Sequence, residues 1–230
     1  MDLKLTGKAA LVTGSSRGIG LATAKAFAAE GCQIMLSGRS TEQLREAETA
    51  LRATGAQVAA HAGDVGSPDE ASRLIEATVA AYGGIDILVN NVGGGGGGAR
   101  IADSTDDDWR GALERNLIQT VRIMRLALPH MKDRPGAAVI NVASISGWSP
   151  QLAMSGQYGA AKAALIFDTE RWALESSRMA SASTPCHRAR YWSRAMAGTA
   201  TVSPTRPIST ITSAMAFRWA ASAPPRRLRM

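Results

Sequence analysis

Short apolar runs alternate with longer amphipathic segments from the N-terminus to about residue 175. Lys8–Thr13, Cys32–Ser37, Gln57–His61, Ile85–Asn90 and Ala137–Ala143 are brief and nearly continuous in apolar residues, the pattern of strands covered on both faces. Between them Leu21–Glu30, Thr41–Thr54, Ser67–Tyr82 and Ser104–Met131 read as helices, and an Ala-rich stretch around Tyr158–Lys162 reads as another. Ser67-Pro68-Asp69-Glu70 is a good helix start. The strand–helix alternation predicts an α/β fold, a doubly wound parallel sheet in three layers, α/β/α.

Composition narrows the picture. A chain of 230 residues is expected to form one domain with a full core. Two cysteines, Cys32 and Cys186, make no disulfide framework, and no Cys/His cluster has zinc spacing. No metal is expected. The first residues lack a signal-peptide pattern and no apolar run reaches membrane-spanning length, so a cytoplasmic protein without a membrane partner is expected. The net charge of +7 invites a nucleic-acid partner. Its distribution argues against one, because residues 176–230 hold nine Arg and no acid while residues 1–175 carry −2. The basic character belongs to the tail. The expected division is a catalytic domain over 1–175 and an atypical Arg/Ser/Ala/Pro-rich tail, loosely structured, over 176–230.

The candidate chemistry sits where strands end. Tyr158 and Lys162 are four apart, on one face of a helix. A cation beside a phenol favours the phenolate and makes the pair a tunable proton donor for a carbonyl. Ser144, ending an apolar run, is placed to hold the same oxygen. At the other end of the chain, Gly14-Ser15-Ser16-Arg17-Gly18-Ile19-Gly20 lies between a strand and a helix. In that setting glycines let backbone approach a pyrophosphate and a helix N-terminus offers free N–H groups. After the second strand, Ser37-Gly38-Arg39-Ser40 has no acid to bind a ribose 2′-OH. Arg39 with Arg17 suits a 2′-phosphate, favouring NADP, with NAD the alternative. Asp64 with Val65 either meets an adenine or opens the next helix. Asn90 and Asn91 are placed to brace the sheet edge, and Asn116 among Leu113, Leu117 and Ile118 reads as a locally satisfied buried amide.

Together these residues resemble the classical short-chain dehydrogenase/reductases. The matches are Thr13-Gly14-x-x-x-Gly18-Ile19-Gly20, Asp64, Asn90-Asn91-x-Gly93, Asn116-Leu117, Asn141-x-x-Ser144 and Tyr158-x-x-x-Lys162, in order over roughly residues 5–175. Val92 departs mildly from the Asn-Asn-Ala-Gly pattern and is expected to crowd the cofactor slightly. The resemblance implies a Rossmann-type fold, an NAD(P)-dependent oxidoreductase and a carbonyl or alcohol substrate. It implies Tyr158 as general acid and base, and Lys162 as the group that lowers its pKa and holds the nicotinamide ribose. Ser144 would orient the substrate, with Ser146 the alternative, and Asn116 would support a relay water. Gly14, Ser16, Arg17, Gly18, Ile19, Gly20, Arg39, Asp64, Val65, Asn91, Gly93, Tyr158 and Lys162 would form the cofactor site. Trp148, Gln151 and Met154 would face the substrate. A homo-oligomer is usual for the family but doubtful here, since its assembly elements fall in the altered tail.

The resemblance stops near residue 175. The family's next strand reads roughly I-R-V-N-A-V-S-P-G, which this chain lacks. Codons for Met179–Arg190 can be chosen so that a shifted frame spells G-I-R-V-N-A-V-S-P-G-S, and Met215–Met230 likewise yields a family-like helix start. A frameshift is therefore the expected origin of the tail. The strands beyond the fifth are expected to be missing or altered, leaving a non-catalytic nucleotide-binding remnant as the alternative to an active enzyme.

Overall fold

The run Ala9–Val12 forms β1 at the centre of a parallel sheet, every residue of it fully buried. The computed structural model describes residues 3–95, 100–150, 154–183 and 188–193, with side chains through residue 175. One compact unit spans Leu5–Gly198. In chain order it holds α1 (Gly18–Ala29), β2 (Gln33–Gly38), α2 (Thr41–Arg52), β3 (Val58–Ala62), α3 (Pro68–Tyr82) and β4 (Ile87–Asn90). Then follow α4 (Asp106–Leu113), α5 (Gln119–Met131), β5 (Ala138–Ala143), α6 (Gly156–Ser183) and β6 (Arg188–Ser193). The second unit, Met1–Lys4 with Thr199–Met230, lies almost wholly outside the described residues.

The sheet order is β3-β2-β1-β4-β5-β6, all parallel. This is the doubly wound α/β sheet expected from the alternation. The order reverses between β1 and β4, and a crevice opens at their carboxyl ends. Alternation along the strands divides the core. Leu11, Met35 and Leu88 pack with Leu74 and Ile75 of α3 and Ile123 and Met124 of α5. Ala10, Val12, Ile34 and Leu36 pack on the other face with Ala24 of α1 and Leu44 and Leu51 of α2.

Helix ends follow local chemistry. The Ser40 hydroxyl accepts from the Gln43 N–H at 3.3 Å and opens α2. Thr105 and Asp108 form a capping box on α4, each satisfying an otherwise orphaned N–H. Pro68 begins α3, and Gly83, with φ +72°, ends it in the left-handed region.

Two findings bear on the sequence reading. The single helix expected over Ser104–Met131 contains a π turn, Glu114–Ile118, joining α4 to α5. An added residue per turn barely disturbs the apolar period, so the pattern hid it. Of the two outcomes expected beyond the fifth strand, missing or altered, the structure shows the second: the altered segment supplies β6, parallel to β5 from Ala138↔Arg188 to Ala143↔Ser193. An open edge of N–H and C=O groups accepts any extended segment that satisfies them, and Tyr191 and Trp192 favour strand. The strand is thus altered rather than missing. Helix α6 runs through the expected boundary at residue 175. The tail beyond β6 lies outside the described residues.

At the amino-terminal edge of the sheet, Asp86 is buried and takes hydrogen bonds from Lys8 (3.2 Å), Arg134 (2.8 Å) and the Ala9 N–H (2.9 Å). Burial opposes its charge, but the bonds from Arg134, Ala9 and Lys8 outweigh that and hold its pKa below the ordinary carboxylate value. A depressed carboxylate pKa adds stability above the unfolded value, which is lost as pH falls through the native one. Asp86→Asn is expected to lower stability by about 2 kcal/mol at pH 7, the order of one charge-assisted hydrogen bond. Urea melts of both proteins from pH 7 to pH 3 check it: the difference should shrink steadily below about pH 4.

Candidate active site

The crevice is built on small residues that let backbones touch. Gly14 has φ +63° and follows β1 directly. A Cβ on Gly20 would stand 2.3 Å from the Gly14 carbonyl oxygen, so only glycine lets α1 turn back so tightly. Ser15 fastens this loop to β2, donating to Val12 O at 2.7 Å and accepting from the Ser37 N–H at 2.9 Å. Arg17 caps α1 with extended backbone and no side-chain bond to the helix N–H groups. Those N–H groups, with the open space above Gly18, fit a phosphate anion.

Thr13 and Asn91 join the loop to β4. The Thr13 hydroxyl donates to Val89 O (3.2 Å) and accepts from the N–H of Asn91 (2.9 Å) and of Val92 (3.3 Å). The Asn91 amide donates to Thr13 O at 3.1 Å and Gly14 O at 3.0 Å. Val92 lies against Gly14, its Cγ2 2.9 Å from where a Cβ would stand. Asn90 donates to Asn141 Oδ1 at 2.8 Å, and Asn141 donates to Thr169 Oγ1 at 2.9 Å. That buried chain registers β4, β5 and α6 against one another.

The residues expected to handle a proton lie near the end of β5. Lys162 is 4% exposed and donates to Val142 O at 2.8 Å. Burial pulls its pKa down to about 8, because a low-dielectric surround disfavours the cation. Its Nζ lies 6.0 Å from the centre of the Tyr158 ring, and Tyr158 is itself buried. A Cβ on Gly93 would lie 2.8 Å from Asn116 Oδ1 and 3.1 Å from Lys162 Nζ, so Gly93, Asn116 and Lys162 converge. Asn116 is fully buried within the π turn. It donates to Gly94 O and Ala112 O at 3.0 Å each and accepts from the Gly94 N–H at 3.0 Å. The sequence reading of a locally satisfied amide matches these bonds. Ser144 caps a short turn, Ile145–Gly147, accepting from the Ser146 N–H at 3.2 Å. A Cβ on Gly147 would come within 2.7 Å of the Lys162 carbonyl carbon, so this turn presses directly on α6.

The remaining predicted residues lie along the adenine side or the rim. Ser16 meets Gln43 Oε1 at 3.4 Å, and Ile19 is half-buried in α1. Arg17 and Arg39 are exposed and neither has an ion-pair partner among the described residues. Asp64 is exposed and its carboxylate accepts from the Gly66 N–H at 3.0 Å. Val65 packs into the core with Leu11 and Leu74. Trp148 and Met154 are exposed, and Gln151 lies outside the described residues. Sequence reasoning did not single out Ser15, Gln119 or Gly147. Their roles depend on contacts made only in the folded chain.

Residues 8–180 match the short chain dehydrogenase family model. The chain is 38% identical over 174 residues to a D-beta-hydroxybutyrate dehydrogenase of Cupriavidus necator, covering 76% of this chain and 67% of that protein. It is 34% identical over 171 residues to dehydrogenase/reductase SDR family member 4 of Oryctolagus cuniculus, covering 74% and 65%. Among solved structures it is similar to an L-sorbose reductase from Gluconobacter frateurii complexed with NADPH and L-sorbose. The TM-score is 0.74 at 37% identity, over 77% of this chain and 67% of that one. The chain belongs to the short-chain dehydrogenase/reductase family. It spans about two thirds of the length of these relatives.

Gly147→Ala forces the Ser144 turn off α6. The expected loss is about 1–3 kcal/mol of stability, the usual cost of overpacking. A thermal melt reads it directly. An unchanged melting temperature would mean the turn is not held against Lys162.

Proposed function

We propose that this protein is an NAD(P)-dependent oxidoreductase, with NADPH favoured, that interconverts a carbonyl and an alcohol. The observation that carries the reading is the convergence of Gly93, Asn116 and buried Lys162 beside Tyr158, at the carboxyl ends of the strands flanking the switch point. The similar L-sorbose reductase is a complex with NADPH. The glycine cradle and uncapped α1 terminus fit the pyrophosphate of such a cofactor. The exposed Arg17 and Arg39 suit its 2′-phosphate.

Bound NADPH supplies a hydride to the carbonyl carbon. The chain's own residues handle the oxygen and the proton. Ser144 donates a hydrogen bond to the carbonyl oxygen and fixes its position. Tyr158 gives its phenolic proton to that oxygen as negative charge develops there. Lys162, held by Val142 O, places a cation near the phenolate left behind. With a pKa of about 8 it is largely protonated at neutral pH. Asn116, anchored to both strands of the Gly94 backbone bond pair, shapes the route by which Tyr158 is reprotonated. In the alcohol-oxidising direction each transfer reverses.

A second reading is a nucleotide-binding remnant without turnover. It is favoured by the family match ending at residue 180. Binding of NADPH without turnover of any member of a broad carbonyl panel would select it.

Tyr158→Phe removes the proton donor and leaves the packing almost intact. Reduction rate is expected to fall roughly 10²–10⁴-fold, with NADPH affinity unchanged, as read by steady-state kinetics and fluorescence titration. Retention of the rate would overturn the assignment of Tyr158. Replacing both Arg17 and Arg39 with Ser is expected to weaken NADPH binding roughly a hundredfold or more while sparing NADH, since each lost charge-assisted bond is worth about 1.5–3 kcal/mol. Parallel titrations with the two cofactors test it, and equal weakening would refute a 2′-phosphate site.

A further inference from the structure

We propose that Arg122 is a positioning residue that ties the adenine-side turn and the Asn116 turn into one preformed cofactor site. The proposal rests on the reading above, in which the Asp64 turn takes the adenine half and the Asn116–Lys162 side takes the nicotinamide half.

Arg122 lies on α5, outside every motif the sequence singled out. Its guanidinium spans two separate elements. Nη1 donates to the Gly66 carbonyl at 2.7 Å and Nη2 to the Glu114 carboxylate at 2.8 Å. Gly66 belongs to the turn after β3, whose own bonds are the Gly66 N–H to Asp64 Oδ1 (3.0 Å) and the Ser67 N–H to Asp64 O (2.8 Å). Glu114 opens the π turn two residues before Asn116. Asn116 in turn grips Gly94 from both sides of its backbone. One side chain therefore connects the segment carrying Asp64 with the segment carrying Asn116.

Gln119 runs beside it. Its Nε2 donates to Arg115 O inside the π turn and stands 3.5 Å from Val92 O. Its Oε1 lies 3.7 Å from the position a Cβ on Gly66 would take. Gln119 is 3% exposed, so the Gly66 turn, the π turn and Val92 share one packed junction.

The chemistry favours positioning over simple stabilisation. The Arg122 side chain is 21% exposed and that of Glu114 47%, and an ion pair so open to solvent contributes little to stability. The planar fork is what two divergent acceptors need, and an ammonium is a point donor without that geometry. The Asp64 turn has no sheet or helix bonds of its own to hold Gly66. Without Arg122 the Gly66 carbonyl loses its tie to α5, the turn keeps only its two internal bonds and Val65, and the added freedom must be removed when the cofactor binds, which lowers affinity. A ligand touching both ends loses more than a ligand touching one.

The test uses the full chain, with NADPH and adenosine 2′,5′-bisphosphate as probes. Arg122→Met is expected to weaken NADPH roughly tenfold, and the bisphosphate by a distinctly smaller factor, on the scale of coupling through packed networks. Arg122→Lys should fall between, since an ammonium replaces only part of the fork. Equal losses for the two ligands would overturn the coupling and leave a local role at the turn. A lowered melting temperature with unchanged NADPH affinity would overturn the proposal in favour of a purely structural residue, as would full wild-type affinity in Arg122→Lys. Should Arg122→Met fail to fold, Glu114→Gln decides, because it keeps the Gly66 bond and weakens only the π-turn end. Unchanged NADPH affinity there overturns the proposal. A wild-type chain that binds the bisphosphate but not NADPH overturns it as well, whereas a wild-type chain that binds neither overturns the cofactor reading itself and the proposal with it.

Discussion

The hydrogen bonds between Thr13 and Asn91 hold the site at the reversal of strand order. β1 and β4 are neighbours in the sheet, yet the chains leaving them diverge, one into the glycine loop and one toward Gly93. The Asn91 amide donates to the Thr13 and Gly14 carbonyls, and the Thr13 hydroxyl accepts from the Asn91 and Val92 N–H groups. These are backbone groups that the ladder cannot satisfy once the strands part, and burying them unpaired would be costly. Satisfying them fixes the crevice's width. The glycine loop then has one position relative to Gly93, and Gly93 one position relative to Asn116 and Lys162.

How much of this could be read from residues depends on the range of the contact. The five continuous apolar runs were legible because a strand covered on both faces has no polar position to interrupt it. The glycine loop and the Tyr158–Lys162 spacing were legible because each is local: a tight turn or a helical repeat of four. The π turn was not, because Leu113, Leu117 and Ile118 keep an apolar face under either winding. Gly147 carries no local sign that the α6 backbone lies within a carbon's radius of it. Arg122 looked like any charge on an amphipathic helix until its two acceptors were in place. β6 was missed for another reason. Arg188–Ser193 has no apolar run, and its strand form reflects the open edge of β5 more than any signal of its own.

The π turn and the buried lysine belong to the same design. An α-helix through Glu114–Ile118 would close the backbone bonds near Asn116 in the ordinary register. The wider turn lets the Asn116 amide bond the Gly94 carbonyl and still reach Ala112 O. π turns are frequent where a helix must re-aim one side chain. Beside it, Lys162 is held nine parts in ten from solvent with Val142 O its single hydrogen-bond acceptor among the described residues. An ammonium has three donors, and a cation buried with one of them satisfied is costly, which is why its pKa falls.

That unfilled capacity separates Lys162 from the lysine and arginine at the opposite edge. Lys8 and Arg134 face a carboxylate, Asp86, which takes hydrogen bonds from both and from the Ala9 N–H, and Lys8 also donates to Pro135 O. Such a cluster pairs its charges within the fold. Lys162 has no carboxylate partner among the described residues, and it stands beside a buried phenol and a glycine that leaves room above it. A fold under selection for stability alone gains more from a hydrophobic residue at such a position. Among the described residues the buried ammonium at the carboxyl edge has no carboxylate while the charges at the amino edge are paired, and that contrast is what supports the proposal that Lys162 serves charge arriving with a ligand.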